Sequence, residues 1–83
     1  MENAIHPTWS ILGRPALLWQ LGHPSHEPAE CLLGELADGR VYVRIMQCGK
    51  ERYGTAFDTA AHAMEVTRDI EQDLVRQGWT KTF

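Results

Sequence analysis

The clearest pattern along the chain is helical and lies near its end. Between residues 60 and 77, Ala60, Ala63, Met64, Thr67, Ile70 and Leu74 recur at three- and four-residue spacing, with Val66 and Val75 at the edges of the stripe. Glu65, Arg68, Asp69, Gln72, Asp73 and Arg76 fall on the opposite side. Asp58 or Thr59 can accept a hydrogen bond from the free N–H groups of a first turn and so marks the start. Gly78 supplies a left-handed stop, after which Trp79 is placed to fold back onto Leu74. The spacing predicts one amphipathic helix over residues 60–77, about 27 Å long.

Upstream the period changes to two. Two β-rich runs, 31–36 and 41–48, flank Asp38-Gly39, a dipeptide favoured in two-residue type I′ turns. Counting outward from that turn pairs Leu36 with Val41, Gly34 with Val43 and Leu32 with Ile45, an apolar face for the helix to cover. The other face then holds Glu35 with Tyr42, Leu33 with Arg44 and Cys31 with Met46, a mixed surface. Gly49-Lys50 is expected to turn the chain into a further strand over 52–57. Placing Phe57 inward there requires an odd-length loop or a bulge. An earlier strand over 16–21 should join through a loop at 22–28. Residues 8–12 read as a short strand or one helical turn, set apart by Gly13-Arg14-Pro15. The expected fold is α+β: an antiparallel sheet of three to four strands, packed on one face by a single C-terminal helix. It forms one domain over 1–83, with an N-terminal segment (1–15), strands (16–57), and the helix with its stop (58–79).

Composition narrows the class. Eight Lys+Arg against eleven Asp+Glu give a net charge of −3, and 43% hydrophobic with 23% charged residues is ordinary for a globular chain. A disordered tail, a collagen-like chain and a strongly basic nucleic-acid module are excluded. At 83 residues the core is small, so a partner subunit is one expected source of extra stability. No basic stretch followed by an apolar run opens the chain, and the longest apolar run, 16–19, is far short of a membrane span. The expected location is cytoplasmic, with no membrane partner. The charges are unevenly spread: residues 1–26 carry only Glu2 and Arg14, while Trp9, Leu17, Leu18, Trp19 and Leu21 crowd the same third. That third is either a buried strand pair or a surface covered by something outside the chain.

Candidate chemistry is sparse. His23-Pro24-Ser25-His26, with Cys31 and Cys48, is the only ligand-like cluster, and its spacing matches no established zinc pattern. No metal and no cofactor are therefore expected. By the hairpin register the two cysteines are diagonal neighbours, about 7–8 Å apart and too distant for an unstrained disulfide. A nucleophilic cysteine with His23 or His26 lacks an orienting third group, and no phosphate loop or His-Glu-x-x-His is present. No catalytic residue is assigned. Arg40, Arg44, Lys50 and Arg52, interleaved with Tyr42 and Tyr53, make the best case for nucleic acid. Glu35, Glu51 and the acidic total weigh against it. The mixture of Leu33, Tyr42, Arg44 and Met46 instead reads as a protein interface, with a second copy of the chain as the expected partner and Trp19 contributing to the docking. The equal alternative is that residues 8–21, with Trp9 and Trp19, cover the patch within the chain.

The run Glu51-Arg52-Tyr53-Gly54-Thr55-Ala56-Phe57-Asp58-Thr59-Ala60-Ala61, closed by Gln77-Gly78-Trp79, resembles small uncharacterised bacterial strand–strand–helix proteins. Some of these are carried on integron cassettes or phages. The outline is also similar to HicB-like antitoxins and WGR domains, although the Trp-Gly-Arg motif is absent. The resemblance implies a fold and transfers no functional residue. The expected function is a non-enzymatic interaction or structural module, a mobile-element accessory protein. The alternatives are a phage- or mobile-element-encoded inhibitor or regulator of a bacterial protein, and a small ligand- or metal-binding domain.

Overall fold

The computed structural model describes residues 11–82. Positions 8–10, part of the expected strand or helical turn, lie outside them. Five strands and one helix follow in order: β1 (Ile11–His23), β2 (His26–Leu36), β3 (Val41–Gln47), β4 (Lys50–Phe57), α1 (Ala60–Arg76) and β5 (Thr80–Lys81). The strands form one sheet in the order β4-β3-β2-β1-β5, and every neighbouring pair is antiparallel. The α+β class and the single C-terminal helix hold, but the sheet has one strand more than expected. That strand is two residues long, pairing Thr80 and Lys81 with Gly22 and Leu21, and is too short to leave a period. Among the described residues, no helix is long and apolar enough to cross a membrane.

The helix matches its local signals. Thr59 Oγ1 accepts from the His62 N–H at 3.2 Å. At the other end Trp79 N–H donates to Leu74 O at 3.1 Å and Gly78 N–H to Val75 O at 3.1 Å, with Gly78 at φ 104°. These are the two bonds of a Schellman stop. Ala63 and Thr67 are fully buried, while Val66, Ile70 and Leu74 pack partly against the core. Met64 and Val75 are exposed, so the buried stripe is narrower than the apolar one.

Three of the expected joints differ. Gly13-Arg14-Pro15 does not end a strand; β1 runs through it with a register shift between Leu12 and Ala16, taken up by Gly13 at φ 66°. The expected loop over 22–28 is only Pro24-Ser25, because His23 and His26 already pair. Asp38-Gly39 is not a type I′ turn, since only Gly39 of the two has positive φ. Gly39 N–H donates to Leu36 O at 3.0 Å and Leu36 N–H to Arg40 O at 2.9 Å, which closes a three-residue loop. Asp38 reinforces it by accepting from Arg40 N–H at 3.0 Å and Arg40 Nε at 2.8 Å.

That extra residue changes the register by one, pairing Glu35 with Val41, Leu33 with Val43, Cys31 with Ile45 and Leu32 with Arg44. A one-residue slip moves a whole strand's side chains to the other face. Cys31 and Leu33 therefore join Val43 and Ile45 beneath the helix, while Leu32 and Gly34 join Tyr42, Arg44 and Met46 on the opposite face. The expected pairings Leu36–Val41, Gly34–Val43 and Leu32–Ile45 are corrected accordingly. The type I′ turn lies instead at Cys48-Gly49, where φ is 55° and 73° and Gln47 pairs with Lys50. A shift between Ile45 and Met46, opposite Tyr53 and Glu51, leaves Arg52 as the bulged residue and sets Phe57 inward, as anticipated.

Candidate functional site

The face of the sheet away from α1 is where the residues of the expected interface can be tested by position. The structure divides the five. Tyr42, Arg44 and Met46 share that face by simple alternation along β3. Trp19 is in the core, 4% exposed, with its indole N–H donating to Thr67 O at 3.3 Å. Leu33 packs against the same core beneath the helix. In their place the face gains Leu17 and Leu32, which pair across β1 and β2, and Gln20 and Glu30, which pair one step along. The cause is a bulge. Between Leu17 and Trp19 the β1 register shifts by one residue, so these two residues point to opposite faces although they are two apart.

A polar cluster organises the β3–β4 side of this face. Tyr42 Oη donates to Glu51 Oε2 at 3.0 Å, and Arg44 Nε donates to Glu51 Oε1 at 2.9 Å. Both bonds pass over Gly54, where a β-carbon would collide with the Tyr42 hydroxyl and the Glu51 carboxylate. Burial, followed by the hydrogen bond to Glu51, pushes the Tyr42 hydroxyl up to about 12. Around Tyr42 and Leu36 the face is buried. Toward the opposite end it opens into a shallow concavity of about 400 Å³, whose floor includes Leu32, Met46, Gln20, Glu30 and Arg44. Leu17 beside it is 42% exposed. Among the described residues α1 packs on the other face, against β3 and β4.

The remaining candidate chemistry disperses. Cys31 is buried beneath α1, and desolvation, with the Glu71 carboxylate adding to it, raises its thiol to about 12. A thiol in that state is a poor nucleophile and a poor metal ligand. Cys48 sits exposed in the β3–β4 turn, so the expected diagonal placement of the two cysteines is corrected. His23 and His26 turn toward Trp79 instead, with ring centroids 5.3 and 5.6 Å from the indole, and the His26 ring lies nearly parallel to it. Among the described residues no group of three or more His, Cys, Asp or Glu side chains converges on a metal position. Of the four basic residues considered for nucleic acid, two are engaged: Arg40 with Asp38 and Arg44 with Glu51. The main-chain N–H of Arg40, with its side chain, holds the Asp38 carboxyl below the usual range. Tyr42 and Tyr53 lie on opposite faces of the sheet.

No protein-family model matches the chain, and neither a curated protein nor a solved structure matches it significantly.

Proposed function

We propose that this protein is a small non-enzymatic interaction module that pairs with a second copy of itself through the sheet face opposite α1. One observation carries the reading. Leu17, Leu32 and Met46 form a partly exposed apolar strip, bordered by Glu30 and Gln20 and by Arg44. A two-fold interface places the same patch on both subunits, so the patch must complement itself. An axis running between Glu30 and Arg44 sets each opposite its counterpart, with the leucines and Met46 between them. The centre is then apolar and the rim charged, the usual anatomy of a specific interface. The free edge of the sheet is a weaker candidate, because β4 carries Lys50, Glu51 and Arg52 together with a bulge. Charge and bulging are the features that deter edge-to-edge pairing.

Other expectations draw less support. A single-strand nucleic-acid platform needs aromatic rings and cations on one surface, and here the tyrosines are on opposite faces. Nucleophilic chemistry at Cys31 is opposed by its burial. Light scattering on a size-exclusion column tests the dimer. The expected mass at tens of micromolar is twice the 9.4 kDa of the chain, and Met46→Glu should reduce it to one. A wild-type protein that stays at the single-chain mass up to about 200 μM, where standard interfaces are saturated, removes the proposal.

A further inference from the structure

The other side of the molecule holds an opening that the dimer reading does not use. Ala63 and Thr67 are small and fully buried, which brings the first half of α1 close to the sheet. Beyond them Ile70 and Leu74 are only half-buried. The layers separate there into a wedge of about 440 Å³ between the second half of α1 and the turn end of β2, β3 and β4. Ile45, Tyr53, Ile70, Leu74 and Trp79 make its walls. Trp79 is a fixed wall, held by its bond to Leu74 O and stacked by His26. No carboxylate lines the wedge.

The polar groups gather at one rim. Arg52 is the bulged residue of β4, and its Nε donates to Gln47 Oε1 at 3.2 Å. Arg40, Arg44, Arg76 and Lys81 each have a carboxylate within 3.3 Å. Among the described residues Arg52 has none within ion-pair distance, as is also true of Arg14, Lys50 and Arg68, and of these four it is the one that lines the apolar opening. A concave apolar site of this size with one convergent charge is the ordinary form of a small-ligand pocket.

From this geometry we infer that the wedge binds a small amphipathic carboxylate, its apolar body between Ile45, Ile70, Leu74 and Trp79 and its carboxylate against Arg52. A guanidinium recognises a carboxylate through paired N–H donors, and here the partner is supplied by the ligand. The inference does not depend on self-association, since the wedge and the strip around Leu17 are on opposite faces.

Octanoate, with 1-octanol and octylamine as neutral and cationic analogues, provides the test. Each is titrated into the full chain and followed by amide and side-chain NMR shifts. Octanoate should saturate below about 10 mM, an affinity modest enough for so small a ligand, with the largest shifts at Ile45, Tyr53, Ile70, Leu74 and Trp79. Octylamine should bind at least about tenfold more weakly, and Arg52→Gln should cost octanoate about three- to fivefold while leaving octanol unchanged. The comparison of the three ligands on the unaltered chain stands even if the variant fails to fold. Equal affinity for amine and carboxylate overturns the inference. So does absence of saturation, a shift pattern centred elsewhere, or indifference of octanoate to a folded Arg52→Gln.

Discussion

At Cys48 a β-carbon occupies a left-handed backbone position, φ 55°, in a two-residue turn whose other member is Gly49 at φ 73°. An L-residue with a full side chain there costs about 1–2 kcal/mol, while glycine and asparagine tolerate it. Cys48→Asn and Cys48→Gly should therefore each raise stability by about 0.5–1 kcal/mol, a gain of several degrees in Tm for a domain of this size. A melting curve that falls for both would mean the thiol makes a contact outweighing the backbone strain. The second thiol has the opposite character. Cys31 is buried and raised to about 12 from 9.0, so a disulfide-exchange reagent at pH 8 should titrate one thiol in the native protein and two after unfolding. A pKa raised by folding contributes stability that is complete below pH 9 and is lost as the pH climbs from about 9 toward 12. Tyr42, also raised to about 12, acts in the same direction, so alkaline unfolding should begin above pH 9 and be followed by circular dichroism. Gly54 is a third single-residue dependence. Gly54→Ala pushes a methyl group into the Tyr42–Glu51 bond and should destabilise by about 1–3 kcal/mol, through overpacking and the loss of a part-buried hydrogen bond.

Turns decide what can be read at the level of the element. The helix was legible because its period, its Thr59 cap and its Gly78-Trp79 stop are all local, and each bond they imply is present. The β2–β3 register was not. Asp38-Gly39 is compatible with both a two-residue and a three-residue loop; the three-residue form is the one adopted, with the Asp38 carboxylate closing on Arg40. Alternation within β3 still grouped Tyr42, Arg44 and Met46 correctly, because a register error moves a partner strand and leaves a strand's own faces intact. Leu33 was misplaced by that error; Trp19, read as part of the uncharged N-terminal segment, is set inward by the bulge at Leu18, which has no sequence signature of its own. The three-residue loop makes its own prediction. It needs one left-handed residue, Gly39 at φ 92°, and open space surrounds that position. Gly39→Ala should therefore cost about 1–2 kcal/mol from backbone conformation alone, and chemical denaturation should show a lower midpoint with an unchanged slope. A change in slope would point instead to a rearranged hairpin.

For the molecule as a whole, the sheet separates two surfaces that the bulges have sorted. The shift at Leu18 sends Leu17 outward and Trp19 inward, and the one at Arg52 sets a guanidinium at the rim of the wedge beneath the helix. Self-association and ligand capture must then respond independently to substitution, because sites without shared residues contribute nearly additively. Met46→Glu should leave the octanoate affinity unchanged while abolishing the double mass. Arg52→Gln should do the reverse. The melting temperature supplies a second and separate reading of the dimer. Association stabilises the folded chain by mass action, so Tm should rise with protein concentration in the wild type. In Met46→Glu it should be flat over the same range, and octanoate should still raise it. Loss of both responses in one variant would show that Met46 supports the fold itself, and that its half-buried place beside Leu32 on the open face is structural.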